Sequence, residues 1–173
     1  MVVLLGAMAV SIGWSQGNTP VVEAHAVMAT DAVHADSVAK VAILAQVAPG
    51  YHINDHKPSL DYLIPTKFAA DSSDQFSVKN LVYPKGNPKN FPFSDVPLSV
   101  YEGQVVVGVV LQVGAGVPAG TYALKGKFAY QACNEHACLP PTSVPVTIDI
   151  KVVPHQVALK SVNKNVFQRI KFE

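Results

Sequence analysis

Charged residues are scarce in this sequence, and neither sign of charge dominates. The 173 residues include 13 Lys and Arg and 12 Asp and Glu, so charged side chains make up 14% of the chain, against a typical share of about 25%. Because there is no basic run or stripe, the sequence lacks the electrostatic footprint of a nucleic-acid-binding protein. The hydrophobic share of 49% excludes an intrinsically disordered chain and is sufficient for one domain with tails.

The sequence also lacks an apolar run long enough to cross a membrane, which takes about 20 residues. The apolar N-terminal stretch MVVLLGAMAVSI is about a dozen residues long, and small and polar residues follow it. This pattern is typical of the apolar core and cleavage region of a secretory signal. We therefore predict a leader at residues 1–17, no transmembrane span in the mature chain, and a periplasmic or secreted location, where disulfides are permitted.

A helical hydrophobic period is missing from the rest of the chain. Short runs rich in Val, Ile, Tyr, Phe and Thr alternate with Pro and Gly turn signals, which is typical of an all-β sandwich or barrel. The clearest alternation places Val146 and Ile148 on one face of a strand and Thr147 and Asp149 on the other. Seven strands, a number that favours a sandwich, are predicted near residues 37–47, 51–53, 60–68, 76–83, 105–113, 122–131 and 144–152.

These patterns divide the chain into four segments. The leader is followed by a predicted linker at residues 18–30, a β-sandwich domain at 31–153 and a short C-terminal tail at 154–173. Residues 24–35 are rich in Ala and Val, and we interpret them as a connector or an edge strand. The tail is basic, and one helical turn is predicted near residues 163–167.

Cysteine is nearly absent, and both cysteines lie in one stretch, YQACNEHACLPP, at residues 130–141. Cys133 and Cys138 are separated by four residues, and the flanking sequence predicts the end of one strand and the start of the next. The two cysteines therefore flank a hairpin loop. Residues that face each other across an antiparallel ladder lie about 4.5 to 5.5 Å apart at Cα. A disulfide requires roughly 4.4 to 6.8 Å, so the bond is permitted without backbone movement.

The residues alone leave three interpretations of this pair open. A structural staple is disfavoured, because a ring of about six residues contributes only about 2 kcal/mol in the loop-entropy model. The immunoglobulin pattern of distant cysteines around a Trp is also absent, since the only Trp is Trp14 in the predicted leader. A reversible redox pair is favoured, because a disulfide that adds little stability is well suited to being opened and closed.

A metal clip is the third interpretation of the cysteine loop. Cys133, His136 and Cys138 could act as ligands, although a structural zinc site normally needs four and copper(I) accepts fewer. In the redox interpretation, a protonated His136 would favour the thiolate of a neighbouring cysteine and Glu135 would oppose it. The alternative for both loop residues is a solvated polar hairpin loop.

With these residues in view, the chain resembles the family of N-terminal domains of the thiol:disulfide interchange protein DsbD. Upstream support comes from PGYHI at residues 49–53, which is similar to the family's Gly-Tyr-containing strand start, and from VYE at residues 100–102, which precedes a strand as in that family. The resemblance extends over about residues 31–153. Its central motif consists of Tyr130, Gln131, Cys133, a short loop, Cys138, Pro140 and Pro141.

The resemblance implies an immunoglobulin-like β-sandwich in which Cys133 and Cys138 form a reversible dithiol/disulfide. Cys138 is the sulfur expected to form the mixed disulfide. An aromatic side chain from residues 90–95 is expected to cap the sulfurs, with Phe91 and Phe93 as candidates and ordinary core packing as the alternative. The other expected neighbours of the site are Tyr130, Gln131, Glu135, His136 and Pro140.

The resemblance further implies thiol-disulfide exchange with thioredoxin-fold proteins, as a component of a protein-disulfide reductase system. The sequence contains no membrane domain and no thioredoxin-like domain, so a separate membrane protein is the expected electron donor. We expect no small-molecule cofactor and no metal. Two alternatives stay open: an immunoglobulin-like binding module with a permanent hairpin disulfide, and a copper- or zinc-binding domain.

Overall fold

The structure is a computed structural model that describes residues 20–172. The predicted leader at residues 1–17 lies outside the described residues. The described chain contains eleven strands and one short helix. They are β1 (Val22–Met28), β2 (Val38–Val47), β3 (His52–Asn54), β4 (Lys67–Ala70), β5 (Phe76–Val82), β6 (Asn87–Lys89), β7 (Leu98–Tyr101), β8 (Gln104–Val113), β9 (Gly120–Tyr130), β10 (Ala132–Cys133), β11 (Thr142–Val152) and α1 (Lys164–Phe167).

The strands form three antiparallel sheets. The first has the order β1-β2-β8-β5, the second β11-β9-β4 and the third β10-β3-β7-β6. Buried residues of the first two sheets, such as Val41, Val109, Phe128 and Ile148, belong to one hydrophobic core. The fold is therefore the all-β, immunoglobulin-like sandwich that the sequence predicts.

Side-chain alternation is confirmed in β11, where Val146, Ile148 and Ile150 are buried between exposed neighbours. Six of the seven predicted strands are present with small shifts at their ends. The strand predicted at 60–68 is wrong for most of its length, because only Lys67–Ala70 forms β4. Residues 60–66 form turns instead, and the apolar Leu60 and Leu63 pack against a small cluster beside the third sheet.

The predicted linker at residues 18–30 contains a strand, so that interpretation is wrong for Val22–Met28. These residues pair with β2 through seven antiparallel partners and form the edge of the first sheet. Val22 is fully buried, and Ala24 and Ala26 pack against the core. An edge strand was one of the two interpretations of residues 24–35, and β1 occupies the first part of that range.

The C-terminal tail packs back on the outer face of the first sheet, and its predicted helical turn is present as α1. Gly108 in β8 makes room for it, because a Cβ there would lie 2.7 Å from Ile170 Cγ2 and 2.9 Å from Phe172 Cε1. Residues after position 153 thus cover part of the sandwich surface. The apolar contact joins Val166, Phe167 and Ile170 of the tail to Ala42, Leu44 and Val106 of the sheet.

Candidate functional site

The cysteine hairpin leaves the second sheet and joins the third. β9 and β11 pair as far as Tyr130 and Thr142, and the chain between them forms a separate small hairpin. Its first arm, β10, pairs with β3. Across the hairpin, Cys133 faces Cys138 in an antiparallel bridge. The predicted hairpin is confirmed, and it is part of the sheet that also contains His52 in β3.

Asn134 closes the hairpin loop. Its backbone N–H donates to the carbonyl oxygen of Ala137 at 3.0 Å, and its side-chain Oδ1 accepts from the backbone N–H groups of His136 at 2.8 Å and Ala137 at 2.9 Å. A short polar side chain that bonds to the backbone two and three residues ahead is a common way to hold a turn. The loop is therefore fixed by one residue, while the side chains of Glu135 and His136 are exposed.

Cys133 and Cys138 form a disulfide, with a Cα separation of 3.9 Å. The hydrogen bonds on either side of this pair join Asn134 to Ala137 and Leu139 to Ala132. The cysteines therefore occupy a non-hydrogen-bonded position, for which the ladder alone gives a Cα separation of about 4.5 Å. The bonded pair is closer than this, so the expected range of about 4.5 to 5.5 Å is too long.

The two sulfur-bearing residues differ sharply in exposure. Cys133 is 2% exposed, whereas Cys138 lies in an exposed run that continues through Leu139 and Pro140. An attacking sulfur must approach the disulfide in line with the bond that it breaks. Another protein therefore has access to the Cys138 side of the bond, while the Cys133 side is covered.

His52 faces Cys133 across the strand pair β3-β10. Ile53 and Ala132, the next residues along these strands, belong to the main core. Because side chains alternate along a strand, His52 and Cys133 lie on the opposite face of the third sheet. His52 is only 3% exposed, and its ring stacks on that of Phe91, with the centroids 4.3 Å apart.

Phe91 and Phe93 occupy the predicted cap segment but differ in their surroundings. Phe91 is 5% exposed and forms a small cluster with Leu98 and Val100 on the same face of the third sheet as His52. Phe93 stacks on Phe91 at a centroid distance of 5.1 Å and is 54% exposed. Phe91 is therefore packed as a core residue and also covers the ring next to Cys133, while Phe93 forms an outer layer.

The other expected neighbours are divided between the core and the hairpin. Tyr130 is buried in the main core, and burial raises the pKa of its hydroxyl. Gln131 donates from Nε2 to the carbonyl oxygen of Leu139 at 3.2 Å, which links the two arms of the cysteine hairpin. Pro140 is exposed after the second arm.

An open cavity of about 380 Å³ lies between the hairpin loop and the third sheet. Its lining includes His52, Glu135, His136 and an ion pair between Lys89 Nζ and Glu102 Oε1 at 2.6 Å. Burial lowers the pKa of His52, and the positive charge of Lys89 lowers it further, while Glu102 acts in the opposite direction. The wall of the cavity next to Cys133 is thus a histidine that favours its neutral form.

A buried carboxylate anchors the end of β3, and no motif in the sequence indicates it. Asp55 accepts hydrogen bonds from the Tyr101 hydroxyl at 2.5 Å and from Ser99 Oγ at 2.7 Å, and its Oδ1 lies 2.8 Å from His56 Nδ1. Burial alone would raise the pKa of Asp55, but these hydrogen bonds outweigh it and lower the pKa to about 2. Asp55 also accepts from the backbone N–H of Gly86, so β3, β7 and the turn before β6 meet at one side chain.

The alternative of a metal clip finds no support within residues 20–172, where no group of three or more His, Cys, Asp and Glu residues could hold a metal ion. Cys133 and Cys138 are bonded to each other, and the form of cysteine that binds a metal is the thiolate. In the same part of the chain, no helix has the length and apolar character to span a membrane.

Comparison with known proteins gives one family and several solved structures. The model of the family described as "Thiol:disulfide interchange protein DsbD, N-terminal" matches residues 18–149. The match begins upstream of the predicted domain start at residue 31 and includes β1. A search of curated proteins finds no match.

Three similar structures have low identity to the chain. The reduced DsbD N-terminal domain of Neisseria meningitidis is 22% identical, with a TM-score of 0.42 over 72% of this chain and 84% of that one. The N-terminal periplasmic domain of ScsB from Proteus mirabilis is 16% identical, with a TM-score of 0.48 over 78% of this chain and 47% of that one. A structure of the complex between the DsbD and PilB N-terminal domains of Neisseria meningitidis gives 20% identity and a TM-score of 0.40, over 71% of this chain and 81% of that one.

Proposed function

Because the chain belongs to the family of N-terminal domains of the thiol:disulfide interchange protein DsbD, we propose that it passes electrons to or from thioredoxin-fold partners through Cys133 and Cys138. The observation that carries this proposal is the unequal exposure of the two cysteines. Cys138 is accessible at the edge of the hairpin, and Cys133 is 2% exposed beneath it. This difference supports a role for Cys138 in the reaction with another protein and a role for Cys133 in resolving the product.

The exchange proceeds through a mixed disulfide. In the reduced domain, the Cys138 thiolate attacks a partner disulfide and forms a bond to one partner sulfur, while the other partner sulfur leaves as a thiolate. Cys133 then attacks the sulfur of Cys138 and the intramolecular disulfide forms. The partner sulfur that was bonded to Cys138 leaves as a thiolate with the electron pair of that bond. The domain loses two electrons and the partner gains two; the reverse sequence reduces the domain.

The small ring that the disulfide closes favours a reversible bond. A ring of about six residues adds about 2 kcal/mol of stability in the loop-entropy model, so the sandwich does not depend on it. The antiparallel pairing of the long strands and the core that they enclose are independent of the cysteines. Opening the bond is therefore expected to leave the scaffold that presents the hairpin intact.

The residues around the hairpin take supporting roles in this proposal. Gln131 holds the two arms together through its bond to Leu139. Phe91 shields the Cys133 side of the site, and Phe93 and the exposed loop residues form the surface that a partner would touch first. We further propose that the mature chain works in the periplasm or outside the cell, where a separate membrane protein supplies or receives the electrons.

Trapping of the mixed disulfide tests the proposal. A Cys133→Ser variant retains the accessible Cys138 but cannot resolve the intermediate, so it should accumulate a covalent complex when expressed in the native host. The matched Cys138→Ser variant retains only the covered Cys133 and should trap much less. Non-reducing gels, with mass identification of the trapped partner, distinguish the two. A lack of adducts with Cys133→Ser, while alkylation shows that Cys138 is reactive, would favour a binding module.

A further inference from the structure

His52 lies in register with the covered cysteine. It is the cross-strand partner of Cys133 in the β3-β10 pair. Directly opposite residues on one face of an antiparallel pair have Cβ atoms about 4.5 to 5.5 Å apart. The imidazole is therefore the titratable side chain that the sheet places beside the sulfur of Cys133, on the face away from the main core.

The ring of His52 packs against Phe91 on one side and lines the cavity beside the hairpin. The residue is 3% exposed, and one face of its ring stacks on Phe91. Among residues 20–172, no buried side-chain nitrogen lacks a hydrogen-bond partner. The ring nitrogens of His52 have no protein partner in that part of the chain, so they reach the solvent of the cavity. The disulfide cannot donate a proton to the ring, whereas a Cys133 thiol can.

The charges that face His52 come from three elements. Lys89 of β6 and Glu102 after β7 form an ion pair on one side of the cavity, and Glu135 and His136 of the hairpin loop line it on the other. Burial and Lys89 lower the pKa of His52, and Glu102 only partly offsets them. At neutral pH the imidazole is therefore uncharged, which is the form that accepts a proton.

We propose that His52 is the general base for Cys133 in the step that resolves the mixed disulfide. This inference rests on the proposed exchange function and adds a proton acceptor to it. As the Cys133 sulfur attacks Cys138, its proton passes to the imidazole of His52, the intramolecular disulfide forms, and the partner sulfur leaves with the electron pair. The imidazolium then returns its proton to solvent or to the departing sulfur. In the opposite direction, His52 protonates Cys133 as it leaves.

A small disulfide allows the step to be measured without a protein partner. When the reduced domain reacts with 5,5′-dithiobis(2-nitrobenzoate), attack by Cys138 releases a first coloured thiolate, and resolution by Cys133 releases a second. A His52→Phe variant keeps a ring that can stack on Phe91 but lacks both nitrogens. At neutral pH we expect its second phase to slow by about a hundredfold, the lower end of general-base effects, with little change in the first.

The pH dependence separates a base from a packing role. Once the pH is high enough for a thiol to lose its proton without a base, the second phase of His52→Phe should approach that of the unsubstituted domain. A His25→Phe variant makes the same change at an exposed position of β1 and should leave both phases unchanged. Equal second phases for His52→Phe and the unsubstituted domain at neutral pH would overturn the proposal.

A measurement on the unsubstituted domain covers the case in which His52→Phe does not fold. The imidazole pKa of His52, followed by NMR, should be lower in the chemically reduced domain than in the oxidised one, because a Cys133 thiol that donates a hydrogen bond to the neutral ring favours the uncharged form. Identical pKa values in the two states would overturn the assignment. Neither measurement needs a protein partner. A negative result would therefore count against His52 as the base, whereas the exchange function is tested separately by trapping of the mixed disulfide.

Discussion

The Tyr101 hydroxyl donates a hydrogen bond of 2.5 Å to Asp55 Oδ1, and this contact joins β7 to the end of β3. Tyr101 is buried in the main core, and burial, together with the bond to Asp55, raises the pKa of its hydroxyl. β3 carries His52, whose cross-strand partner is Cys133. The position of the cysteine hairpin is therefore tied to the buried carboxylate of Asp55.

Protonation of Asp55 at acid pH should lower the free energy of unfolding of the domain. Its pKa is lowered from 3.8 to about 2 in the folded state, so its contribution to stability is fully present above about pH 5 and is lost as the pH falls toward 2. The shift corresponds to about 2 kcal/mol. We expect Asp55→Asn to lower the free energy of unfolding at pH 7 and to reduce its slope between pH 5 and 2, as measured by urea denaturation. An unchanged slope would show that other carboxylates carry the acid dependence.

Reduction of the disulfide should lower stability only modestly. The ring of about six residues contributes about 2 kcal/mol in the loop-entropy model, and the long strands pair without the hairpin. We expect the reduced domain to keep its far- and near-ultraviolet circular dichroism, with a lower thermal midpoint. Global unfolding on adding reductant would instead identify a structural staple.

Alanine variants of Phe91 and Phe93 should show which ring shields the reduced cysteines and which ring stabilises the fold. Phe91→Ala removes a buried ring that covers His52, so we expect faster alkylation of reduced Cys133 and a loss of about 3 to 5 kcal/mol in the free energy of unfolding. Phe93→Ala removes an exposed ring and should change stability by only about 0.5 kcal/mol.

A remote core residue supplies the control for that comparison. Phe76 is as buried as Phe91 but lies in the main core, so Phe76→Ala should destabilise the domain without a matching change in alkylation under native conditions. If Phe76→Ala and Phe91→Ala accelerate alkylation equally, unfolding rather than loss of a shield explains the result.

Replacing Gly108 of β8 with Ala should detach the C-terminal tail from the outer face of the first sheet. Gly108→Ala places a Cβ where Ile170 and Phe172 now lie, and overpacking of this kind typically costs about 1 to 3 kcal/mol. We expect faster proteolysis after residue 153 in this variant. Gly116→Ala is the control, because a Cβ there meets no atom within 4 Å. Equal cleavage rates in the two variants would mean that the tail adapts without detaching.

The parts of this fold that could be predicted are those with a strong local pattern. β11 alternates Val and Ile with polar residues, and the spacing of Cys133 and Cys138 indicates a hairpin. Ala24 and Ala26 give only a weak apolar signal, so the sequence leaves a linker and an edge strand open where β1 lies. β6 and β7 are too short for a period to appear. Leu60 and Leu63 contact a neighbouring cluster from bends in the chain, which a propensity argument cannot distinguish from a strand.

The site itself could be predicted only where it is local in sequence. The cysteines and Gln131 lie in one stretch, but His52 reaches the site only because β3 pairs with β10. No local pattern reveals that pairing. The exposure of Cys138 and the burial of Cys133 likewise depend on how the hairpin joins the third sheet, so the sequence alone could not predict this difference between the two cysteines.

A glutathione titration tests most directly whether Cys133 and Cys138 are a reversible redox pair. The folded domain is equilibrated with mixtures of reduced and oxidised glutathione, quenched by alkylation and read by mass, with circular dichroism to confirm that it stays folded. We expect reversible interconversion of the disulfide and the dithiol, with a reduction potential above about −300 mV. A pair that stays oxidised in the most reducing mixture, with a potential below that value, would contradict the claim.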